Sequence, residues 1–590
     1  MSSLRSAPSK KNYTARNVGK SYQSLFIMLG ITLFMFGGIG SRLAYLQLVR
    51  GIQYRQQADN NRIRVIPKQP ERGNIFDRDG KVLASSRLSH AVYVWPMAPK
   101  NVEWTATKAK LAQILQIREA EIQKRLEKAG YNSSTLVRVA RGLTPAQITA
   151  LAEYHNQLKD VEVYIEAVRE YPNGQIASHI LGYTGEMSDR ELAKKRKLGY
   201  RLGDIVGQMG VEAAFEQQLR GEWGGQQVEV DGKGRIIKVL GAKPAKTGQN
   251  VYLTIDLNIQ KAAEKALGDR QGAIVALDPR NGAVLAMVSR PAFDPNIFTK
   301  RIAPAQWKAL QSKDHPFVNR ALRGFPPAST FKIITTTAGI ESGKFKPTTI
   351  LQTYGCMNIG GTTFCDWNHA GFGPLGFPGA LAHSSDTFFY QIGRGVGGPT
   401  LIDWTRRYGF GKKTGIELAG EEARGLVADA KWKQENLDIP WSVGDTVNMS
   451  IGQGFLQVSP LQVARMFAVP ANGGYLVQPH LLKNNETAKT WRKSLNLKPD
   501  TVRILRQGLR QVVDGGTGNA LNSPNIPPAS GKSGTAEAFG NKSHTWFGGY
   551  APSTKPEIVV VAFAEHSGGG GGKICAPIVR QVMEAYFKKK

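Results

Sequence analysis

The run "SYQSLFIMLGITLFMFGGIGS", Ser21 to Ser41, carries no charged residue. As a helix it is long enough to cross the hydrocarbon core of a bilayer. No other feature restricts the fold as strongly. No later run is as long and as apolar, so the chain from residue 49 onward is expected to lie on one side of a membrane. Arg5, Lys10, Lys11, Arg16 and Lys20 precede the run, which favours a cytoplasmic tail over 1–20 and an anchor over 21–48. Arg42, Arg50 and Arg55 follow it, so the charge bias is incomplete. The rival is a cleaved signal peptide, but the run exceeds the usual h-region and no A-x-A-like site follows. The expectation is an uncleaved single-pass anchor.

The formal net charge is +31, which suggests anionic partners or simply a basic solvated surface. No zinc-finger spacing or RNA-recognition signature accompanies it, so nucleic acid is not expected as a partner. The three cysteines are Cys356, Cys365 and Cys575. An exported compartment permits disulfides. Cys356 and Cys365 flank "MNIGGTTF", a turn-rich loop that could close on itself. The alternative is a metal site, because "CDWNH" adds Asp366 and His369 to the two thiols. The spacing matches no standard zinc pattern, which favours the disulfide. Cys575 opens an apolar helical pattern and reads as a core residue.

Residues 49–245 are mixed and irregular. "RGNIFDRDGKVLASS" predicts a strand, a turn at Asp79-Gly80 and a second strand. "TPAQITALAEYHNQL" predicts a helix capped by Thr144, and "GQMGVEAAFEQQLRG" has a helical period. No group of acids, bases or nucleophiles there has a catalytic spacing, so the region reads as a scaffold. From 246 the texture changes. "VYLTID" predicts a strand and "NIQKAAEKALG" a helix ended by Gly268. "GAIVALDPRNGAVLAMVS" predicts two strands around a turn at Asp278 to Gly282. Near the C-terminus "GKSGTAEAF", "HTWFGGYA" and "EIVVVAFAE" predict three more strands, followed by a helix from Ala576 to Phe587. The expected assembly over 246–590 is α+β: one antiparallel sheet built from both ends of the domain, with helices on its faces.

Three short segments in this part carry chemistry. In "PPASTFK" the prolines suit a helix start, and Ser329 and Lys332, three apart, share a face of the helix expected to run to Gly343. A serine in a first turn has free N–H groups and the positive dipole end beside it. A buried lysine is pushed toward its neutral form, and a neutral amine can take a hydroxyl proton. Alone, S-x-x-K is a common pattern and fits an ordinary capping serine. "SSD", Ser384 to Asp386, opens "TFFYQIG"; alone it is an N-cap cluster. "KSGT", Lys532 to Thr535, lies on a predicted strand. In this order the three form the S-x-x-K, S-x-[ND], K-[ST]-G set of penicillin-reactive serine acyl-transferases.

With those motifs the chain resembles the class B penicillin-binding proteins, peptidoglycan D,D-transpeptidases, and most of all their elongation type. "RGNIFDRDGKVLA", "YPNGQIASHILGYTG" and "GVEAAFEQQLRG" resemble the family's membrane-proximal pedestal. "GAIVALDPRNGAVLAMVSRPAFDPN" and "SIGQGFLQVSPLQVA" resemble its transpeptidase domain. The resemblance implies a pedestal over 49–245 and a transpeptidase domain over 246–590, on the periplasmic or extracellular side of a bacterial cytoplasmic membrane. It implies that Ser329 attacks the penultimate D-alanine carbonyl of a stem peptide, that Lys332 takes its proton, and that Ser384 relays a proton to the leaving D-alanine. Lys532 would hold its partners by charge and anchor the substrate carboxylate with Ser533 and Thr535. Gly534 would let the strand approach the substrate, and the N–H groups of Ser329 and Thr535 would form the oxyanion hole. No cofactor is implied. The implied partners are stem peptides, β-lactams, a SEDS-family glycosyltransferase and other elongation-complex proteins.

One departure is Asp386, where many relatives carry Asn. A carboxylate there favours charged lysines. The expectation is that Asp386 pairs with Lys532 and leaves Lys332 neutral. A division-type transpeptidase of the same class and a penicillin sensor or scaffold without turnover are the alternative functions. A β-lactamase would need a deacylating base, and no "ExxLN"-like element follows the second motif.

Overall fold

The computed structural model describes residues 16–589 apart from 56–62, 132–135, 202, 231–235, 301, 419 and 539. Most of the expected cytoplasmic tail, with Arg5, Lys10 and Lys11, lies outside the described residues. Helix α1, Arg16–Ala44, continues through a π-turn at Tyr45–Val49. Its side chains from Tyr22 onward are almost all exposed, Phe34 by 83 %. This 28-residue apolar helix, unburied among the described residues, has the length and composition to cross a bilayer. It is a single-pass anchor, and the chain that follows lies across the membrane from the N-terminal tail.

The pedestal includes strands β1 (Ile75–Phe76) and β2 (Val82–Val94), joined by the turn expected at Asp79-Gly80. Strand β3 (Val137–Arg141) and the longer β4 (Val161–Glu170) both pair antiparallel with β2. Thr144 caps the helix Pro145–Glu153 as expected, within a full capping box. The "GVEAAFEQQL" helix is instead two short pieces, Gly210–Ala214 and Glu216–Leu219, interrupted at Phe215. Its packing explains the break. Glu212 is fully buried and accepts from Arg72 Nε at 2.6 Å, Arg169 Nε at 2.6 Å and Tyr171 Oη at 3.2 Å. Glu216 takes Arg72 Nη2 at 2.8 Å. Burial alone would raise the Glu212 carboxyl, but Arg169 and Arg72 outweigh it and hold it below the usual range.

Strand β5 (Val251–Tyr252) is shorter than "VYLTID" suggested and lies parallel to β1. Helix α2, Leu257–Leu267, starts at Asp256 and ends at Gly268. Strands β6 (Gly272–Leu277) and β7 (Val284–Arg290) follow. A 3-10 turn at Ala328–Phe331 leads into α3, Lys332–Glu341. Then come the hairpin β8 (Cys356–Ile359) and β9 (Thr362–Cys365), α4 (Phe377–His383), α5 (Asp386–Val396) and α6 (Pro460–Asn472). Strands β10 (Ser530–Ala536), β11 (His544–Ala551) and β12 (Ile558–Ala564) lead to α7, Gly571–Lys588, which starts five residues before the expected Ala576.

The main sheet has the order β7-β6-β12-β11-β10, antiparallel throughout. Strands from both ends of the domain therefore meet at β6-β12. Both faces are covered, which is why "IVVVAFA" is apolar at every position. Val559, Val561 and Phe563 share a core with Phe467 and Ala468 of α6. Val560 and Ala562 share one with Val579, Val582 and Cys575 of α7. Cys575 is fully buried, as expected, and burial pushes its thiol up to about 12. Strand β10 is left as an edge, next to the turn that bears Ser329.

Candidate active site

Ser329 sits in the 3-10 turn, one residue after Ala328, whose φ is +51°. Helix α3 proper starts only at Lys332, so the serine precedes the helix rather than lying in its first turn. The turn is clamped from behind by the segment after Ser450. Ala328 N–H donates to Gly452 O at 3.0 Å, and Phe325 and Val458 exchange backbone bonds at 2.9 Å. A side chain on Gly452 would strike the Ala328 carbonyl. That contact gives "SIGQGFLQVSP" a physical reason: it is the wall that holds the serine turn.

Lys332 is fully buried, and its Nζ finds every partner in one segment. It donates to Ser384 O at 2.8 Å, Ser384 Oγ at 3.3 Å and Asp386 Oδ1 at 2.7 Å. Ser384 is the C-cap of α4 in the left-handed region, with φ +56°. Such a conformation costs roughly 1–3 kcal/mol for a residue other than glycine. Here it accompanies a carbonyl and a hydroxyl both within reach of the lysine. Ser385 is the N-cap of α5, and its Oγ accepts from Phe388 N–H. Asp386 is thus the first helical residue, where the helix dipole favours a carboxylate.

This corrects the expected pairing: Asp386 meets Lys332, not Lys532. Lys532 is fully buried and its Nζ donates to Ser533 O at 3.1 Å. Burial first, then the Lys332 charge, push it well below the ordinary lysine range, and Asp386 only partly offsets them. The reason for the Asp386 pairing lies in the two turns around Ser384 and Ser385, which aim the Asp386 carboxylate at the start of α3 rather than at β10.

The third segment lies against the serine turn. A Cβ on Gly534 would meet Pro327 O at 3.2 Å, Thr330 Cγ2 at 3.2 Å and Ala328 Cβ at 3.3 Å. Ser533 is buried and its Oγ pairs with Thr517 Oγ1 at 2.7 Å. Thr535 is exposed, and its Oγ1 accepts from Gly571 N–H at 3.3 Å at the start of α7. Ser329, Lys332, Ser384 and Lys532 are thereby gathered from three distant segments. Thr517, in "DGGTGN", was not legible as a neighbour of this site; a glycine-flanked threonine carries no such signal.

Cys356 and Cys365 face each other in β8-β9 and form a disulfide. The metal alternative is thereby overturned, since both thiols are consumed. Asp366 is buried on side-chain donors and His369 is exposed. Among the described residues no group of three or more His, Cys, Asp or Glu could hold a metal.

Residues 272–584 match the model of the penicillin-binding protein transpeptidase domain, and residues 67–253 that of the penicillin-binding protein dimerisation domain. The chain is a class B penicillin-binding protein. Among similar proteins is the peptidoglycan D,D-transpeptidase MrdA of Haemophilus influenzae, 33 % identical over 96 % of this chain and 92 % of that one. The structure of a complex between PBP2 and MreC from Helicobacter pylori aligns with a TM-score of 0.78 at 26 % identity, covering 89 % of this chain and 99 % of that one. A chain from a peptidoglycan synthase complex that coordinates polymerization and crosslinking aligns with a TM-score of 0.70 at 33 % identity, over 97 % and 99 %. This penicillin-binding protein is of the elongation type, PBP2-like, and acts as a serine-type D,D-transpeptidase on peptidoglycan stem peptides.

Proposed function

We propose that Ser329 is the residue acylated in this reaction and that Lys332 receives its proton. The observation that supports this most is the triple contact of Lys332 Nζ with Ser384 and Asp386 beside the serine turn. Edge strand β10 lies on the other side of that turn.

Lys332 is paired with Asp386, while burial and the Lys332 charge push Lys532 well below the ordinary lysine range. A substrate carboxylate arriving beside Lys532, Ser533 and Thr535 favours the Lys532 ammonium. A proton then passes from Lys332 to Lys532 by way of the Ser384 hydroxyl, which lies 3.3 Å from Lys332 Nζ. Neutral Lys332 takes the Ser329 proton as Oγ bonds to the penultimate D-alanine carbonyl carbon. The oxyanion faces the N–H groups of Ser329 and Thr535; losing one such donor costs on the order of a hundredfold in rate. The bond to the terminal D-alanine breaks, and Ser384 delivers a proton to the leaving amine. An amine of a neighbouring stem peptide then attacks the ester, forming the cross-link and returning the Ser329 hydroxyl. β-Lactams, as carboxylate-bearing acyl donors, enter by the same first step.

Labelling with a fluorescent penicillin tests this. Stable labelling of the native chain that vanishes in Ser329→Ala is expected. Labelling that persists in Ser329→Ala would refute the nucleophile, rapid release of the drug would point to a lactamase, and no labelling of the native chain to a scaffold.

The pedestal, taken as 49–245 with the transpeptidase domain from 246, is proposed as the docking platform. A SEDS-family glycosyltransferase would sit beside α1, and an MreC-like elongation protein on the pedestal strands. The complex between PBP2 and MreC from Helicobacter pylori supports the second pairing for that relative, and the peptidoglycan synthase complex couples crosslinking to polymerization in the other.

A further inference from the structure

The turn that aims Asp386 at Lys332 is gripped from outside the three motif segments. Asp366 follows Cys365 at the base of the β8-β9 hairpin and is only 2 % exposed. Its N–H donates to Gly355 O at 2.7 Å, the pair adjoining the Cys356–Cys365 disulfide. Its Oδ2 accepts from Ser385 Oγ at 2.8 Å, Thr387 N–H at 3.0 Å and Thr387 Oγ1 at 3.1 Å. The chain just ahead of β8 reaches the same threonine. Tyr354 N–H donates to Thr387 Oγ1 at 3.1 Å, and Tyr354 O lies 3.0 Å from that hydroxyl. Further along α5, Tyr390 Oη donates to Cys365 O at 3.3 Å and Gln391 Nε2 to Gln352 O at 2.9 Å.

Asp386 therefore stands between two residues, Ser385 and Thr387, that are both tied to one buried carboxylate. That carboxylate satisfies an otherwise free N–H of the first turn of α5 and favours the positive helix end. Without it, Ser385 Oγ and Thr387 N–H lose their shared acceptor, and the first turn that carries Asp386 is released. The disulfide matters because Asp366 hangs on a two-stranded hairpin, a unit that is marginal alone. The cross-link restrains it at the pair next to Asp366.

We infer that Asp366, restrained by the Cys356–Cys365 disulfide, is a positioning residue for the Lys332–Asp386 pair. The inference rests on the proposed roles of Ser329 and Lys332. It is tested by stopped-flow acylation of the full detergent-solubilised chain with a fluorescent penicillin. Three quantities are read separately: the rate at saturation, the apparent dissociation constant and the fraction of molecules acylated. In Asp366→Ala the saturating rate is expected to fall about ten- to a hundredfold, with the dissociation constant unchanged. Asp366→Asn keeps an acceptor oxygen for Ser385 and Thr387 and recovers most of the rate. Thr387→Val, which leaves the carboxylate in place but removes the hydroxyl, slows acylation as well and decides the matter if Asp366→Ala does not fold. The double change Cys356→Ser with Cys365→Ser slows it through the loosened hairpin. A purely structural role would lower the acylated fraction and leave the rate of the remaining molecules at the native value. That result in Asp366→Ala or Thr387→Val overturns the inference. Absence of acylation in the native chain would instead refute the reading of the site itself.

Discussion

Lys332 has three N–H donors as an ammonium, and Ser384 and Asp386 together accept from all three. An amine held this way is oriented but not yet a base. What makes a base available is the second lysine, because two ammonium groups and one carboxylate in a buried site repel their last proton. Asp386 is the one neighbour that raises Lys532. Replacing it by Asn removes that influence, so Lys532 moves further down and the site loses its extra proton at lower pH. In Asp386→Asn the acid limb of the pH profile for penicillin acylation should shift to lower pH. The plateau should also fall, since Lys332 loses its strongest orienting contact. A limb that stays in place would show that the carboxylate does not set the charge of the site. The residue types of the site were legible in sequence because the three short motifs occur in order. The pairing of charges was not, because it depends on the left-handed Ser384, and nothing in "AHSSDTFF" marks a serine for that conformation.

Elements divided in the same way. Four of the five strands of the catalytic sheet were legible as apolar runs ended by glycine, proline or asparagine turns, and β10, which reads SGKSGTA, was legible through its KSGT motif. The 3-10 turn at Ser329 was not, since prolines mark the start of either helix type. The disulfide could be named only against a metal alternative, because spacing does not state register; in the folded hairpin Cys356 lies directly opposite Cys365. The long pair β2-β4 carries a further consequence. His90 faces Ile165 and Leu88 faces Ala167, so Leu88 and Ile165 lie diagonally on one face. They are 70 % and 62 % exposed. Two large apolar side chains together on an open sheet face suit a partner better than water. The double change Leu88→Arg with Ile165→Arg should weaken co-purification with an MreC-like elongation protein while penicillin labelling stays at the native level. Undiminished co-purification would remove this face from the docking proposal.

At the scale of the whole molecule, the pedestal and the catalytic domain share a core. Ile75, Leu83, Tyr171, Val211 and Leu219 belong to the same buried cluster as Val251, Val275, Phe331 and Phe467. The strand register agrees: β5 lies beside β1, and Asp77 Oδ2 accepts from Leu257 N–H at 3.1 Å at the start of α2. A chain joined in this way should lose its active site when the base of the pedestal loosens. Glu212 is the residue on which to test it. It is fully buried, and its two arginines stay buried without it, so Glu212→Gln should cost about 3–5 kcal/mol. Because its folded-state pKa is depressed, the contribution is present above the ordinary glutamate value of about 4.3 and is lost as pH falls through the lower folded value. The difference between native and Glu212→Gln in urea unfolding should therefore be constant from neutral pH down to about 5 and shrink only in more acid solution. Penicillin labelling should disappear at the same urea concentration as the hydrogen-exchange protection signal of pedestal strands β2 and β4 in both proteins. If labelling outlasts that signal, the two regions unfold separately, and the shared core does not couple them.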